Sequence, residues 1–410
     1  MVNQLLNLGC HRAGIHRHEM VPALNNDSPT LDTNIFYTVL EKGAPGQRQM
    51  LAAQLAQFLA AEDTSAADCS AVLPVVMKLT VDPEASVRRC LADGLSHVAN
   101  LNADILYSII ADEDDIALPF LGATPALGHW HMLAVLKVGD APRQARVAAR
   151  TDLTPEALAH IISKGALEAC LEIFDNPVVV HSEADYQMLY GRFGQSGEIV
   201  ERLLARTDLP LDIRIVHTKR TANRMHQLMA ERGWAPANDA SELVADAEEI
   251  ATLRLLVEAS DPELVRAVAF LVSKSMLTPS LIIRAACLGE MHVVERSLAH
   301  LGGLPVTRTR ELMAGRGIGG FKSLHAKSGL PQSCFGILQA ACEVARVEAE
   351  EGITLDQQGF GRRLIEALMT RYAALPLRER TKHMEFVSRF AEDRIKLIAK
   401  RLRSDIARAA

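Results

Sequence analysis

A helix-opening phrase occurs twice in this 410-residue chain. Asp82-Pro83-Glu84 runs on to Val87-Arg88, and Asp261-Pro262-Glu263 runs on to Val265-Arg266. Asp is a good N-cap. Pro suits the first helical turn, where its missing amide has no partner to lose, and Glu favours the positive end of the helix dipole. A Val-Arg step in the next turn places one apolar group inward and one cation outward. Asp82 and Asp261 are therefore expected as caps, Val87 and Val265 in the core, and Arg88 and Arg266 in solvent. A chain that restarts helices this way is expected to stack helix pairs.

Composition points the same way. Hydrophobic residues make up 49% of the chain, too many for wholesale disorder, and aromatics only 4%. The apolar content is mostly Ala, Leu, Val and Ile, which favours helices over a sandwich or barrel. The fold class expected is all-α: an irregular HEAT-like α-solenoid of stacked helix pairs, which grows by addition rather than by enlarging one core.

Four segments follow from the pattern of breaks. Residues 1–30 lack sustained periodicity and close on Asn25-Asn26-Asp27-Ser28-Pro29, a mobile N-terminal segment. Residues 31–235 read as HEAT-like helical repeats. Gln47 to Ala61 places Leu51, Leu55, Phe58 and Leu59 on one face, and the acidic run Asp112–Asp115 opens the apolar stretch Ile116 to Leu121 as a solvated helix start. Gly233-Trp234-Ala235-Pro236 is the best internal linker. Residues 240–345 form a second helical block with a Gly-rich helix-turn-helix, and residues 346–410 form C-terminal helices with a basic amphipathic end helix. Arg150-Thr151-Asp152-Leu153 and Arg206-Thr207-Asp208-Leu209 repeat at a spacing of 56 residues, longer than the ~40–47 of one HEAT unit. Thr154-Pro155 and Thr278-Pro279 repeat as helix starts, each followed by an Ile-Ile step.

The stretch from Ala111 through the acidic run and the Arg-Thr-Asp-Leu phrases to Pro331 resembles a mostly alphaproteobacterial family of HEAT-like helical proteins, domain of unknown function 2336. Its most specific part is Gly289 to Pro331, with the Gly-Glu-Met opening, the Leu304-Pro305 turn and the Arg316-Gly317 phrase. The resemblance implies a helical solenoid and a bacterial cytoplasmic setting. It supplies no catalytic residues.

Motifs that carry chemistry are few. Gly315, Gly317 and Gly320 fit GxGxxG, but a dinucleotide fingerprint needs a strand before it, and here a helical pattern precedes. A weaker variant is an anion held by Arg310, Arg316 and the free amides of the following helix. His11, His16 and His18 beside Cys10, and His129 and His131 around Trp130, lack the convergent spacing of a metal site, and loop or solvated histidines are the reading. No nucleophile elbow, zinc-protease helix or phosphate-binding P-loop motif occurs. The seven cysteines include no CxxC and read as reduced core thiols. No catalytic, cofactor or metal residue is assigned.

The end of the chain is distinct. Met384, Val387, Ala391, Ile395, Ile398, Leu402 and Ile406 step by about 3.67 residues, one apolar stripe, with Arg389, Lys400 and Arg401 largely off it. From Arg378 to Ala410 the local charge is +5, so the rest of the chain carries −11 of the net −6. The stripe is expected to cap the solenoid, with homo-oligomerisation through it as the other use.

The function expected is a non-enzymatic, cytoplasmic protein-binding scaffold or regulatory adaptor with no cofactor. The alternative is a small-ligand or nucleotide sensor using the Gly-rich turn near Arg316. Nucleic acid is not expected as a partner, and no run is apolar enough for a membrane span.

Overall fold

A computed structural model describes residues 33–61, 66–234, 236–315, 318–353 and 356–372. Among the described residues there are twenty-one α-helices and no strand. The N-terminal segment, the Cys10–His18 cluster and the basic end helix with Arg389, Lys400 and Arg401 lie outside them. The chain divides into two compact units between Arg206 and Thr207.

The first unit holds α1 (Thr33–Lys42), α2 (Pro45–Ala60), α3 (Ala66–Leu79), α4 (Ala85–Leu95), α5 (Ala103–Ile110), α6 (Asp114–Ala123), α7 (His129–Val138), α8 (Ala141–Ala148), α9 (Pro155–Lys164), α10 (Leu167–Asp175), α11 (Glu183–Phe193) and α12 (Gly197–Ala205). Packing follows two rows. α2 packs on α4, α4 on α6, α6 on α8, α8 on α10 and α10 on α12. On the other side α1 packs on α3, α3 on α5, α7 on α9 and α9 on α11. α8 and α12 start 56 residues apart, the spacing of the two Arg-Thr-Asp-Leu phrases. That spacing spans four helices, α8 to α11.

The rows are close. A Cβ on Gly94 of α4 would lie 2.5 Å from the Cβ of Ala56 on α2, so only glycine permits that approach. Arginines then tie successive pairs together through carbonyls that a helix end leaves without partners. Arg143 Nε donates to Ile110 O at the end of α5 (2.8 Å). Arg150 donates to Leu121 O and Thr124 O after α6 (2.6 and 2.9 Å) and to both oxygens of Asp152. Arg192 donates to Ile162 O in the last turn of α9 and to Gly165 O just after it (2.5 Å each). The first Arg-Thr-Asp phrase is thus a turn held by the buried guanidinium of Arg150, whose hydrogen bonds hold the Asp152 carboxyl below its usual range, whereas Arg206 of the second donates to the Tyr186 hydroxyl (3.2 Å).

Three expectations fail here. Asp82 does not cap a helix starting at Pro83. Its carboxylate accepts from Arg48 and from the Glu84 amide, and α4 starts only at Ala85. Arg88 is not solvent-facing: it is half-buried and gripped by Asp112. The acidic run is therefore not a merely solvated start, since Asp112, Asp114 and Asp115 take Arg88, Arg143 and Arg89 respectively.

The second unit holds α13 (Leu211–Arg232), α14 (Ala237–Glu258), α15 (Asp261–Ser273), α16 (Pro279–Cys287), α17 (Met291–Gly302), α18 (Val306–Ala314), α19 (Ile318–Ser328), α20 (Gln332–Glu351) and α21 (Gln357–Tyr372). The turn at Gly233 (φ 60°) lies inside this unit, between the mutually packed α13 and α14. It is not the unit boundary that its Gly-Pro composition suggests. α16 is the core element, buried from Leu281 to Cys287, and packs on α14, α17, α20 and α21. Gly289 takes φ 80° directly behind it, and a Cβ there would lie 2.9 Å from Phe360. This is the physical content of the Gly-Glu-Met opening. Burial pushes the Cys287 and Cys342 thiols up to about 12, consistent with inert core thiols.

The second Asp-Pro-Glu phrase is built differently from the first. Ser260 caps α15, its amide donating to Glu263 Oε2 (3.0 Å), so Asp261 and Pro262 are already helical. Val265 is 46% exposed and Leu264 takes the core position. The expectation for Val265 fails because α15 buries Leu264, Ala267, Val268 and Leu271, and Val265 lies about 100° around the helix from Leu264. Thr154 and Thr278 do cap as expected, accepting from Ala157 N (3.3 Å) and Leu281 N (3.0 Å).

Candidate interaction surface

α5 starts where the Asn102 side chain accepts the Asp104 amide (2.8 Å). Ile105, Leu106, Ile109 and Ile110 face inward and leave Tyr107 on the outside. α7 is apolar on two sides. Met132, Val135 and Leu136 enter the core, while Trp130, Ala134 and Val138 recur every four residues on another face. Trp130 is 77% exposed and Val138 88%.

The odd-numbered row is loosest between α5 and α7, and a groove of about 480 Å³ opens there. Tyr107, Ile110 and Ala111 form one wall, and Ala134, Val135 and Val138 the other. Tyr107 meets His131 edge-on, with centroids 5.6 Å apart. Asp140 and Arg143 close one end. The Asp140 carboxylate caps α8, accepting Arg143 N at 3.1 Å, and its other oxygen takes Arg143 Nη1 at 2.6 Å. Arg143 also reaches Asp114 Oδ1 at 2.9 Å, so its charge is matched. What remains open to solvent is apolar: a wall of small and aromatic side chains with one fixed ion cluster at the rim.

The unit that carries this groove is acidic. Residues 1–206 hold 25 acidic and 15 basic residues, a formal −10, against 25 and 29 in residues 207–410. The groove therefore lies on the acidic unit.

The residues singled out for an anion site are arranged otherwise. Arg310, on α18, donates from Nε and Nη2 to Glu295 of α17 at 3.1 and 2.7 Å, and that hydrogen bonding raises its pKa above the ordinary value. Its guanidinium faces a carboxylate. Arg316 lies outside the described residues. The Gly-rich turn joins helix α18 to helix α19. A Cβ on Gly320 would come within 3.3 Å of Leu312, so this glycine serves a close helix–helix turn. His129 Nδ1 lies 3.1 Å from Thr154 Oγ1, at the cap of α9, and so belongs to α7–α9 packing rather than to a loop. Among the described residues no group of three or more His, Cys, Asp or Glu is placed to hold a metal.

The family model of an uncharacterised protein conserved in bacteria, DUF2336, matches residues 116–378. The chain belongs to that family. The DUF2336 match begins inside α6, so the α7 wall and the α8 end of the groove fall within it and the Tyr107 wall precedes it. No curated protein and no solved structure matches the chain.

Sequence reasoning passed over the groove. Its signal was present in His129–Val138, where Trp130, Ala134 and Val138 make a second apolar stripe that a one-sided helix has no use for.

Proposed function

We propose that this DUF2336 protein is a non-enzymatic protein-binding scaffold or regulatory adaptor of the bacterial cytoplasm, with its first unit an irregular HEAT-like α-solenoid. The two-row packing of α1–α12 supports the solenoid, since each helix from α1 to α10 except α5 packs on the one two places on. The observation that carries the binding role is the groove of Tyr107, Ala134 and Val138, with Trp130 one turn further along the same face of α7. Contiguous exposed apolar surface with an aromatic anchor is the composition of an interface core. The partner that fits is a protein segment with apolar side chains for the groove and a net positive charge to suit the acidic unit that carries it. The pairing of Arg310 with Glu295 counts against the sensor reading at the Gly-rich turn.

Affinity capture from the native bacterium with the wild-type chain and with Val138→Glu tests the role. Proteins retained by the wild-type chain and lost with Val138→Glu support the groove. An identical set of captured proteins with both removes it.

A further inference from the structure

α13 and α14 are each 22 residues long, about 33 Å. They pair through the Gly233 turn, and the ion pair of Lys219 with Glu248 (3.2 Å) sets their antiparallel register. Between Ile215 and Thr252, Ala240 is the one buried apolar residue among those described. Among the described residues the hairpin is thus anchored at its base and little buried along most of its length. It is not polar all round, however. Leu243, Ala247 and Ile250 form an exposed stripe on α14 at i, i+4, i+7 spacing, and the Lys219–Glu248 register brings Met225 of α13 to the height of Leu243. Leu243 is 60% exposed and Met225 45%. Two helices alone bury apolar side chains on one side only. Closing the other side takes further helices, and four make a bundle.

The charges on the two helices identify those further helices. α13 carries Arg214, Lys219, Arg220, Arg224 and Arg232 against Asp212 and Glu231, a net +3. α14 carries Asp239, Glu242, Asp246, Glu248, Glu249 and Glu258 against Arg254, a net −5. A two-fold axis that lays α13 on the α14 of a second copy brings opposite charges together twice. Pairing each helix with its own copy would oppose like charges.

We propose that the α13–α14 hairpin is a homodimerisation arm: two copies of this chain join their hairpins in an antiparallel four-helix bundle, α13 of each against α14 of the other, around Met225, Leu243 and Ile250. The arm belongs to the second unit and does not depend on the groove of the first.

Light scattering on the full chain across about 1–100 µM, the range of ordinary transient homodimers, tests it. Twice the mass of one chain is expected at the upper end, and dissociation constants should rise severalfold between low and high salt as the opposed charges are screened. Met225→Asp with Leu243→Asp should weaken association at least ~tenfold and leave the helical circular dichroism unchanged, because both side chains are exposed in the single chain. Val138→Glu should leave the mass unchanged, so the arm and the groove fail separately. A monomer at every concentration overturns the arm. So does a dimer that survives the double substitution, including one lost only when residues 378–410 are removed. Loss of helix in the double variant overturns it as well, by making those side chains core.

Discussion

Arg88 of α4 donates to both carboxylate oxygens of Asp112, between α5 and α6, at 2.8 and 2.9 Å. A third donation runs from Arg88 Nη1 to Asp82 O after α3, at 2.8 Å. One half-buried guanidinium therefore joins the ends of two helices in the odd-numbered row to a helix in the even-numbered one. Removing it leaves the Asp112 carboxylate with only the Glu113 amide as a hydrogen-bond donor among the described residues. Arg88→Ala should cost about 2–3 kcal/mol, well above the median for an exposed pair. A double-mutant cycle with Asp112→Ala, read by denaturant unfolding, should give a coupling of at least ~1 kcal/mol.

The same residue marks the limit of what the sequence made legible. Helix starts set by local chemistry, such as Thr154-Pro155 and Thr278-Pro279, were readable because the capping hydroxyl and the amide that donates to it lie three residues apart. Arg88 and Asp112 are 24 residues apart, and nothing local distinguishes an arginine that reaches across a helix pair from one that faces water. Val265 was misplaced for a different reason: Ser260 rather than Asp261 fixes the start of α15, whereas α4 starts only at Ala85, so the two phrases enter their helices at different points and Leu264 takes the core position. The groove was hidden because an apolar helix reads as core. Only packing between α5 and α7 decides which apolar stripe of α7 is covered.

Val87 and Val265 offer a paired test of that correction. Val87 is fully buried and Val265 is 46% exposed. Val87→Asp should destabilise by several kcal/mol, since an unpaired carboxylate enters the core, whereas Val265→Asp should stay within about 0.5 kcal/mol. Urea unfolding midpoints of the two variants measure the difference.

Gly94→Ala should destabilise although alanine is the better helix former. The propensity gain is up to ~1 kcal/mol. Against it stands a methyl group placed 2.5 Å from the Ala56 Cβ, between two backbones that have no flexible end to move aside. A net loss of about 1–2 kcal/mol is expected from overpacking, with Gly94→Ala/Ala56→Gly recovering part of it.

Stability should fall below about pH 6.5 through His325. The ring is buried against Phe321 and Phe335, and desolvation holds its pKa below the ordinary 6.5. The unfolded chain then takes up a proton near 6.5 that the folded chain refuses until lower pH. Stability from this group is complete above that value and declines as pH drops, by at most ~1.4 kcal/mol per unit. His160 and His217 shift in the same direction, each mainly through desolvation. The drop in melting temperature from pH 7.5 to 5.5 should therefore be smaller, not absent, in His325→Phe.

The α5–α7 groove is proposed as the place where another protein docks. A photo-activatable benzoylphenylalanine placed at Val138, and separately at Trp130, in the native bacterium tests it at the surface itself. Lys164, exposed at the end of α9, serves as the control position. Irradiation should give the same discrete cross-linked adduct from positions 138 and 130 and none from 164. Adducts absent at all three positions, or equally abundant at position 164, would contradict the docking groove.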